Sequence, residues 1–206
     1  MPPRIQFPLV IATGAALALA LALAGSAPAR ADENLLHGPH PFIRDNELAV
    51  HILIASGSGD SMSGGKLALD YGYKLTGGWV PMWLGLALNI QRGACNQAPS
   101  VGTCGQNSGD MFETLAGVRW AFATPIPLVP YVGAGAGLAF AFPNGASAGA
   151  GPMVRGVGGA NYFFFDWLGV GGQVGFSLGT LNYDSTFMGS HTFQVFDVGG
   201  GLVFQF

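Results

Sequence analysis

One feature constrains this chain more than any other: a period-two alternation that returns along its length and keeps the bulky side chains on one face. Leu67, Leu69, Tyr71 and Tyr73 alternate with Lys66, Ala68, Asp70, Gly72 and Lys74, so every charge falls on one side. That period belongs to a β-strand, whose successive side chains point to opposite faces. Leu48, Val50, Ile52 and Ile54 likewise oppose Ala49, His51 and Ala55. Met82, Leu84, Leu86, Leu88 and Ile90 oppose Trp83, Gly85, Ala87, Asn89 and Gln91, and Phe112, Ala116, Val118, Trp120 and Phe122 oppose Glu113, Gly117, Arg119 and Ala121. In the Gly-rich second half the period persists from Ala134 to Phe142, from Val154 to Tyr162, from Leu168 to Leu178 and from Phe196 to Phe206, which brings the expected strands to eight.

A soluble antiparallel sheet alternates too, but its exposed face is polar. Here one face is Leu, Val, Ile, Phe and Tyr, and the other is Gly, Ala and a few charges. Charged residues are 9% of the chain, apolar residues 50%, and Gly supplies 34 positions; an ordinary soluble domain is about one quarter charged. Disorder needs the opposite composition. Eight Lys and Arg against eleven Asp and Glu exclude the basic footprint of a nucleic-acid binder. Lipid is the expected solvent for the large face, and lipid admits only helices and closed barrels. A spanning helix needs about twenty apolar residues. Beyond residue 31 the longest candidate, Leu128 to Phe142, is interrupted by Pro130, Gly133, Gly135 and Gly137. The expectation is an all-β, eight-stranded, antiparallel up-and-down transmembrane barrel over residues 48–206, apolar outside and small or polar inside.

Residues 1–31 read as a signal peptide. Arg4 gives a basic start, Leu9 to Ala24 an apolar stretch, and Ala29-Arg30-Ala31 a small-x-small cleavage site. Loss of Arg4 and Arg30 leaves six basic and eleven acidic residues, a net charge near −5. Residues 32–47 lack periodicity and carry two prolines; they are expected to form a periplasmic tail or to plug the barrel base. Cys95 and Cys104 share a polar Gly/Asn/Gln-rich stretch. In an exported protein they are expected to form a disulfide that staples a loop, contributing on the order of 2–3 kcal/mol.

The connections differ between the two ends. Leu75 to Trp79, Thr124 to Leu128 and Phe163 to Trp167 are short and apolar-aromatic, while the connections after the odd strands are expected to be longer and polar, most clearly Arg92 to Gly109 and Thr180 to Thr192. Short periplasmic turns and long outer loops are the asymmetry of outer-membrane barrels. Trp79, Trp120, Phe122, Tyr131, Tyr162, Trp167 and Phe206 are expected to gather at the periplasmic rim, where an aromatic ring has one dry and one wet side.

With the signal peptide, the eight amphipathic segments, the stretch Phe165-Asp166-Trp167-Leu168-Gly169-Val170-Gly171 and the terminal Phe204-Gln205-Phe206, the chain resembles the small eight-stranded outer-membrane barrels of the OmpA/OmpX-like group. The resemblance covers residues 48–206 and implies an outer-membrane location of Gram-negative type, contact with lipopolysaccharide, and recognition of Phe204 and Phe206 by the barrel assembly machinery. It implies no particular activity.

The inward faces carry three acids, Asp70, Glu113 and Asp197, and three bases, Lys66, Arg119 and Arg155, with Lys74 and His51 nearer the periplasmic end. Equal numbers in a confined space are expected to pair, because an unpaired buried charge costs several kcal/mol. Such a network seals the lumen; the competing reading is a narrow polar pore kept open by inward glycines. Catalytic readings are weaker. Gly145-Ala146-Ser147-Ala148-Gly149 matches G-x-S-x-G, which has meaning only at a strand-to-helix elbow. Ser190-His191 resembles the Ser-His pair of lipid A deacylase barrels, but only the loop residue Asp184 is near enough in sequence to orient the imidazole. His37 and His40 make two metal donors with no third, so neither a metal nor a cofactor is expected. The resulting expectation is a non-enzymatic barrel, monomeric or of unspecified oligomeric state, with a structural or surface-interaction role. A passive pore ranks second and a lipid-modifying enzyme third.

Overall fold

The computed structural model describes residues 43–59, 61–95, 108–144, 147–183 and 190–206. They form eight strands: β1 (Asn46–Gly59), β2 (Met62–Lys74), β3 (Met82–Cys95), β4 (Ser108–Ala121), β5 (Leu128–Pro143), β6 (Gly149–Phe165), β7 (Leu168–Tyr183) and β8 (Ser190–Gln205). Each pairs antiparallel with its neighbour in sequence, and β1 pairs with β8, so the sheet closes in up-and-down order. Closure leaves no sheet edge with unpaired backbone groups. No helix occurs among the described residues.

The alternation read from the sequence is the alternation of the wall. Ile52, Ile54, Leu84, Val174, Phe196 and Leu202 stand exposed on the outer surface, while Ala49, Ala68, Asn89, Ala139 and Ser177 are buried inside. Near the β6–β7 turn a register shift between Phe163 and Phe165 breaks the period. Phe163 points inward, whereas Phe164 and Phe165 both lie outside, and Phe165 stacks on Trp167 at 6.0 Å. A bulge is what lets two consecutive aromatic rings share the outer face. In the β2–β3 connection Gly78 takes φ +94°, a conformation that L side chains rarely adopt.

Three sequence expectations are corrected here. The strand begins at Asn46 rather than Leu48, so Asn46 and Glu47 belong to the barrel and not to the tail. The connection after β1 is the short 60–61, not a long loop, because β1 and β2 continue past their apolar positions. Ser61 Oγ donates to the Ser58 carbonyl at 2.9 Å and the Gly57 N–H to Ser63 Oγ at 3.0 Å. Ladder bonds carry a strand beyond the apolar band, so the end of hydrophobicity is not the end of the strand. The stretches Arg92 to Gly109 and Thr180 to Thr192 likewise narrow to connections 96–107 and 184–189. Third, Tyr131 does not join the rim aromatics. It shares the inward face of β5 with Val129 and is 4% exposed, whereas Trp79, Trp120, Phe122, Tyr162, Trp167 and Phe206 are 38–65% exposed.

The lumen is layered, and its ends are more apolar than expected. Toward the connections 96–107 and 184–189 (the loop end), Met62, Met111, Met153, Leu181, Phe193 and Val195 pack into one buried cluster. Toward the connections 75–81 and 122–127 (the turn end), Trp83, Ala121, Val129, Tyr131, Phe163 and Val203 form a second. The inward phase of β8 reaches beyond the amphipathic stretch to Val195 and Phe193, which is how apolar bulk enters the interior.

Candidate functional site

The polar lumen between these clusters is the candidate site. Its upper layer is supplied by alternate strands. Lys66 on β2 donates through Nζ to Glu113 Oε2 on β4 at 2.7 Å and to Asp197 Oδ2 on β8 at 3.1 Å. Arg155 on β6 grips Asp197 with both terminal nitrogens, Nη1 to Oδ2 at 2.5 Å and Nη2 to Oδ1 at 2.7 Å, and Nη1 also donates to Ser177 Oγ at 3.0 Å. The side chains of Lys66, Glu113 and Asp197 have no solvent exposure. Asn89 Nδ2 adds a bond to Glu113 Oε2 at 2.7 Å, and Gln91 donates to the Met62 carbonyl. Two cations thus meet two carboxylates, which is the condition under which buried charges are tolerated.

The space this pair needs explains one glycine. A Cβ at Gly175 would lie 2.3 Å from Arg155 Nη2 and 2.6 Å from Asp197 Oδ1. Gly72, Gly85, Gly117 and Gly135 are consecutive register partners across β2 to β5 and leave bare backbone on the lumen wall.

The lower layer centres on a residue that the sequence reading left in the tail. Glu47 accepts from Arg119 Nη1 at 2.6 Å, from Gln205 Nε2 at 2.9 Å and from Asn161 Nδ2 at 3.4 Å. The Arg119 guanidinium lies 5.1 Å from the ring centroids of both Trp83 and Tyr131, within cation–π range. Between the layers lies a cavity of about 90 Å³ lined by His51, Asp70, Trp83, Arg119, Tyr131 and Gln173, among others. Here the expectation of three matched pairs meets a difference. Among the described residues Asp70 has no Lys or Arg partner; its Oδ2 lies 3.4 Å from His51 Nδ1 without hydrogen-bond geometry. Arg119 pairs instead with Glu47, a fourth acid on the inward face. Lys74 sits at the turn-end mouth, 2.7 Å from Asp45.

The structure thus brings Lys66, Glu113, Arg155 and Asp197 together, places Arg119 with Glu47, and leaves Asp70 facing the cavity. The sequence signal for Glu47 was present: it continues the inward phase of Ala49 and His51 by one more step. The neutral members Asn89, Asn161, Ser177 and Gln205 carried no such signal, because an amide or hydroxyl on an inward face has no predictable partner.

The other candidates separate cleanly. Gly149 opens β6, so a strand and not a helix follows Ser147, and the G-x-S-x-G elbow geometry is absent there; residues 145 and 146 lie outside the described residues. Ser190 and His191 are neighbours on β8, so alternation sends their side chains to opposite faces, and the His191 ring packs edge-on to Tyr183 at 5.9 Å. Asp184, His37, His40 and Cys104 lie outside the described residues, and with Cys104 so does the expected disulfide to Cys95.

No protein-family model matches the chain, and no curated protein matches it. Among solved structures it is similar to Neisserial surface protein A, with a TM-score of 0.57 and 15% identity, covering 79% of this chain and 97% of that one. It is also similar to the outer-membrane protein AlkL in lipid bilayers, with a TM-score of 0.50 and 12% identity, covering 87% of this chain and 94% of that one. Such identities establish the fold, which is that of small eight-stranded outer-membrane barrels.

Proposed function

We propose that the chain is an integral outer-membrane barrel, exported by residues 1–31, whose lumen is closed and whose role is structural or surface-interacting. The observation that carries this reading is the inversion of its surfaces: large apolar side chains cover the outside, and ion pairs fill the inside. The dimensions support it. The outward set of β8 and the residue after it runs from Phe196 to Phe206, about 33 Å along the chain at roughly 3.3 Å per residue. A tilt of about 40° reduces that to roughly 25 Å, the height of a barrel's apolar band. The exposed Trp79, Phe164, Phe165, Trp167 and Phe206 would lie at the headgroup level of the turn end. In this reading lipopolysaccharide covers the loop-end half of the band, and Phe204 and Phe206 present the barrel to the assembly machinery.

A closed lumen argues against the narrow pore. A solute would have to displace the loop-end cluster, then the Lys66 layer, then the turn-end cluster. With no helical elbow after Ser147 and opposed faces for Ser190 and His191, neither motif supports a catalytic arrangement among the described residues. The expected outcome is that the purified protein needs detergent or lipid to stay in solution and gives no discrete conductance steps in planar bilayers. A compact detergent-free monomer would overturn the membrane reading, and reproducible steps would favour the pore.

A further inference from the structure

Three described residues precede β1 at the turn-end mouth of the lumen. β1 begins at Asn46, whose N–H and carbonyl both bond to Phe206 across the seam, each at 3.0 Å. Asp45 extends the β1–β2 pairing by one bond to Lys74, and Ile43 and Arg44 precede it. Ile43 packs against the turn-end apolar cluster that includes Trp83. The Arg44 N–H donates to Gln205 Oε1 at 3.1 Å, and the Arg44 guanidinium pairs with Asp166 on the β6–β7 turn. From the other side Lys74 holds the segment three ways: its N–H to the Asp45 carbonyl at 2.8 Å, its Nζ to the Asp45 carboxylate at 2.7 Å, and its Nζ to the Ile43 carbonyl at 3.4 Å.

We propose that Ile43–Asp45 is a strap that covers the turn-end cluster and can lift independently of the barrel, admitting water to Trp83 while the cluster and the Glu47 layer stay in place. The two fastenings differ in kind from what lies beneath. The Arg44–Asp166 pair is exposed on both sides, at 41% and 55%, and in the Lys74–Asp45 pair the carboxylate is 58% exposed although the Lys74 side chain is 8% exposed. Exposed pairs are weak and screened by salt. The layer below, Glu47 with Arg119, is buried and bonded by Gln205 and Asn161 as well. Weakly fastened segments open at a lower free energy than the core they cover. Trp83 is the reporter the fold provides. It is the register partner of Lys74, is 1% exposed, lines the cavity, and its Nε1 has no protein partner. That orphaned donor and the unpartnered nitrogens of His51 suit a space that water can enter.

The proposal builds on the closed-lumen reading but is tested by a different measurement. Trp79, Trp120 and Trp167 are replaced by Phe, leaving Trp83 as the sole tryptophan, and acrylamide quenching is measured in phospholipid vesicles. With the strap intact Trp83 is expected to be protected. Arg44→Ala with Asp45→Ala should raise its quenching constant severalfold, 1 M salt should do the same, and a chain beginning at Asn46 should match them. Asn144→Ala, which breaks the Asn144–Ser108 side-chain bond at the loop end, should leave Trp83 protected. Unchanged quenching in the folded double variant overturns the strap even if the shortened chain does not fold, and so does an equal rise with Asn144→Ala, which would mean general loosening. Conductance of the unaltered protein bears on the closed lumen and is independent of both outcomes.

Discussion

Lys66 is the one cation shared by two buried carboxylates, Glu113 and Asp197, and this makes it the residue whose loss leaves the most charge uncompensated. Arg155 still neutralises Asp197, but Glu113 keeps only the amide of Asn89 among its described bonds. Lys66→Met is therefore expected to destabilise the barrel by about 3–5 kcal/mol, the cost of orphaning one partner of a buried pair. The check is its urea unfolding midpoint in vesicles beside that of the unaltered protein. Glycines offer a paired test. Ala at position 175 would press on the Arg155–Asp197 pair, whereas a Cβ at Gly156 meets nothing within 4 Å. Gly175→Ala should cost about 1–3 kcal/mol through overpacking, and Gly156→Ala should leave stability unchanged or slightly raised. Equal effects of the two would mean that the ion pair adapts and that the space at Gly175 is not required.

A strand of this barrel has a dry middle and a wet end, and β7 carries both on its outer face. Val174 lies within the apolar band, while Thr180 stands beyond Leu178, where the outward residues turn polar. Arginine at position 174 is expected to cost about 2–4 kcal/mol and at position 180 about 0–1 kcal/mol, following the depth dependence of charge on a lipid-facing wall. Refolding titrations into vesicles measure both, and a flat profile would mean that this face is not in lipid. β8 carries the assembly proposal. Phe206 is half exposed beyond the last ladder residue, so removing it should cost little folding in detergent micelles yet lower insertion in the presence of the assembly machinery. Equal insertion with and without Phe206 would remove that role.

For the whole molecule, closure is the organising fact, because every outward apolar face depends on β1 meeting β8 in register. The parity of that pairing was legible from the period-two pattern, since a one-residue slip would turn His51 and Asp197 outward, but a two-residue slip would keep every face and so the register itself was not legible. The eight strands and the sidedness of nearly every named residue followed from alternation, while their up-and-down order rested also on the connections and on the resemblance to small outer-membrane barrels. Tyr131 was misplaced only because its aromatic character was weighed above its phase on β5. Strand ends were less legible: apolar periodicity stops at the edge of the apolar band, while backbone bonding carries β1, β3, β7 and β8 into polar sequence.

By itself the sequence determined which side of each strand faces outward and which residues enter the lumen, because that assignment depends on parity along the strand and on keeping the charges on one face. Only the tertiary structure decided who pairs with whom. Partnership across a lumen depends on strand stagger and on the height of each residue, so Glu47 and not Asp70 took Arg119, and Lys66 came to serve two carboxylates. The apolar closures at both ends were decided the same way, by inward positions on separate strands that reach one height only when the ring is closed.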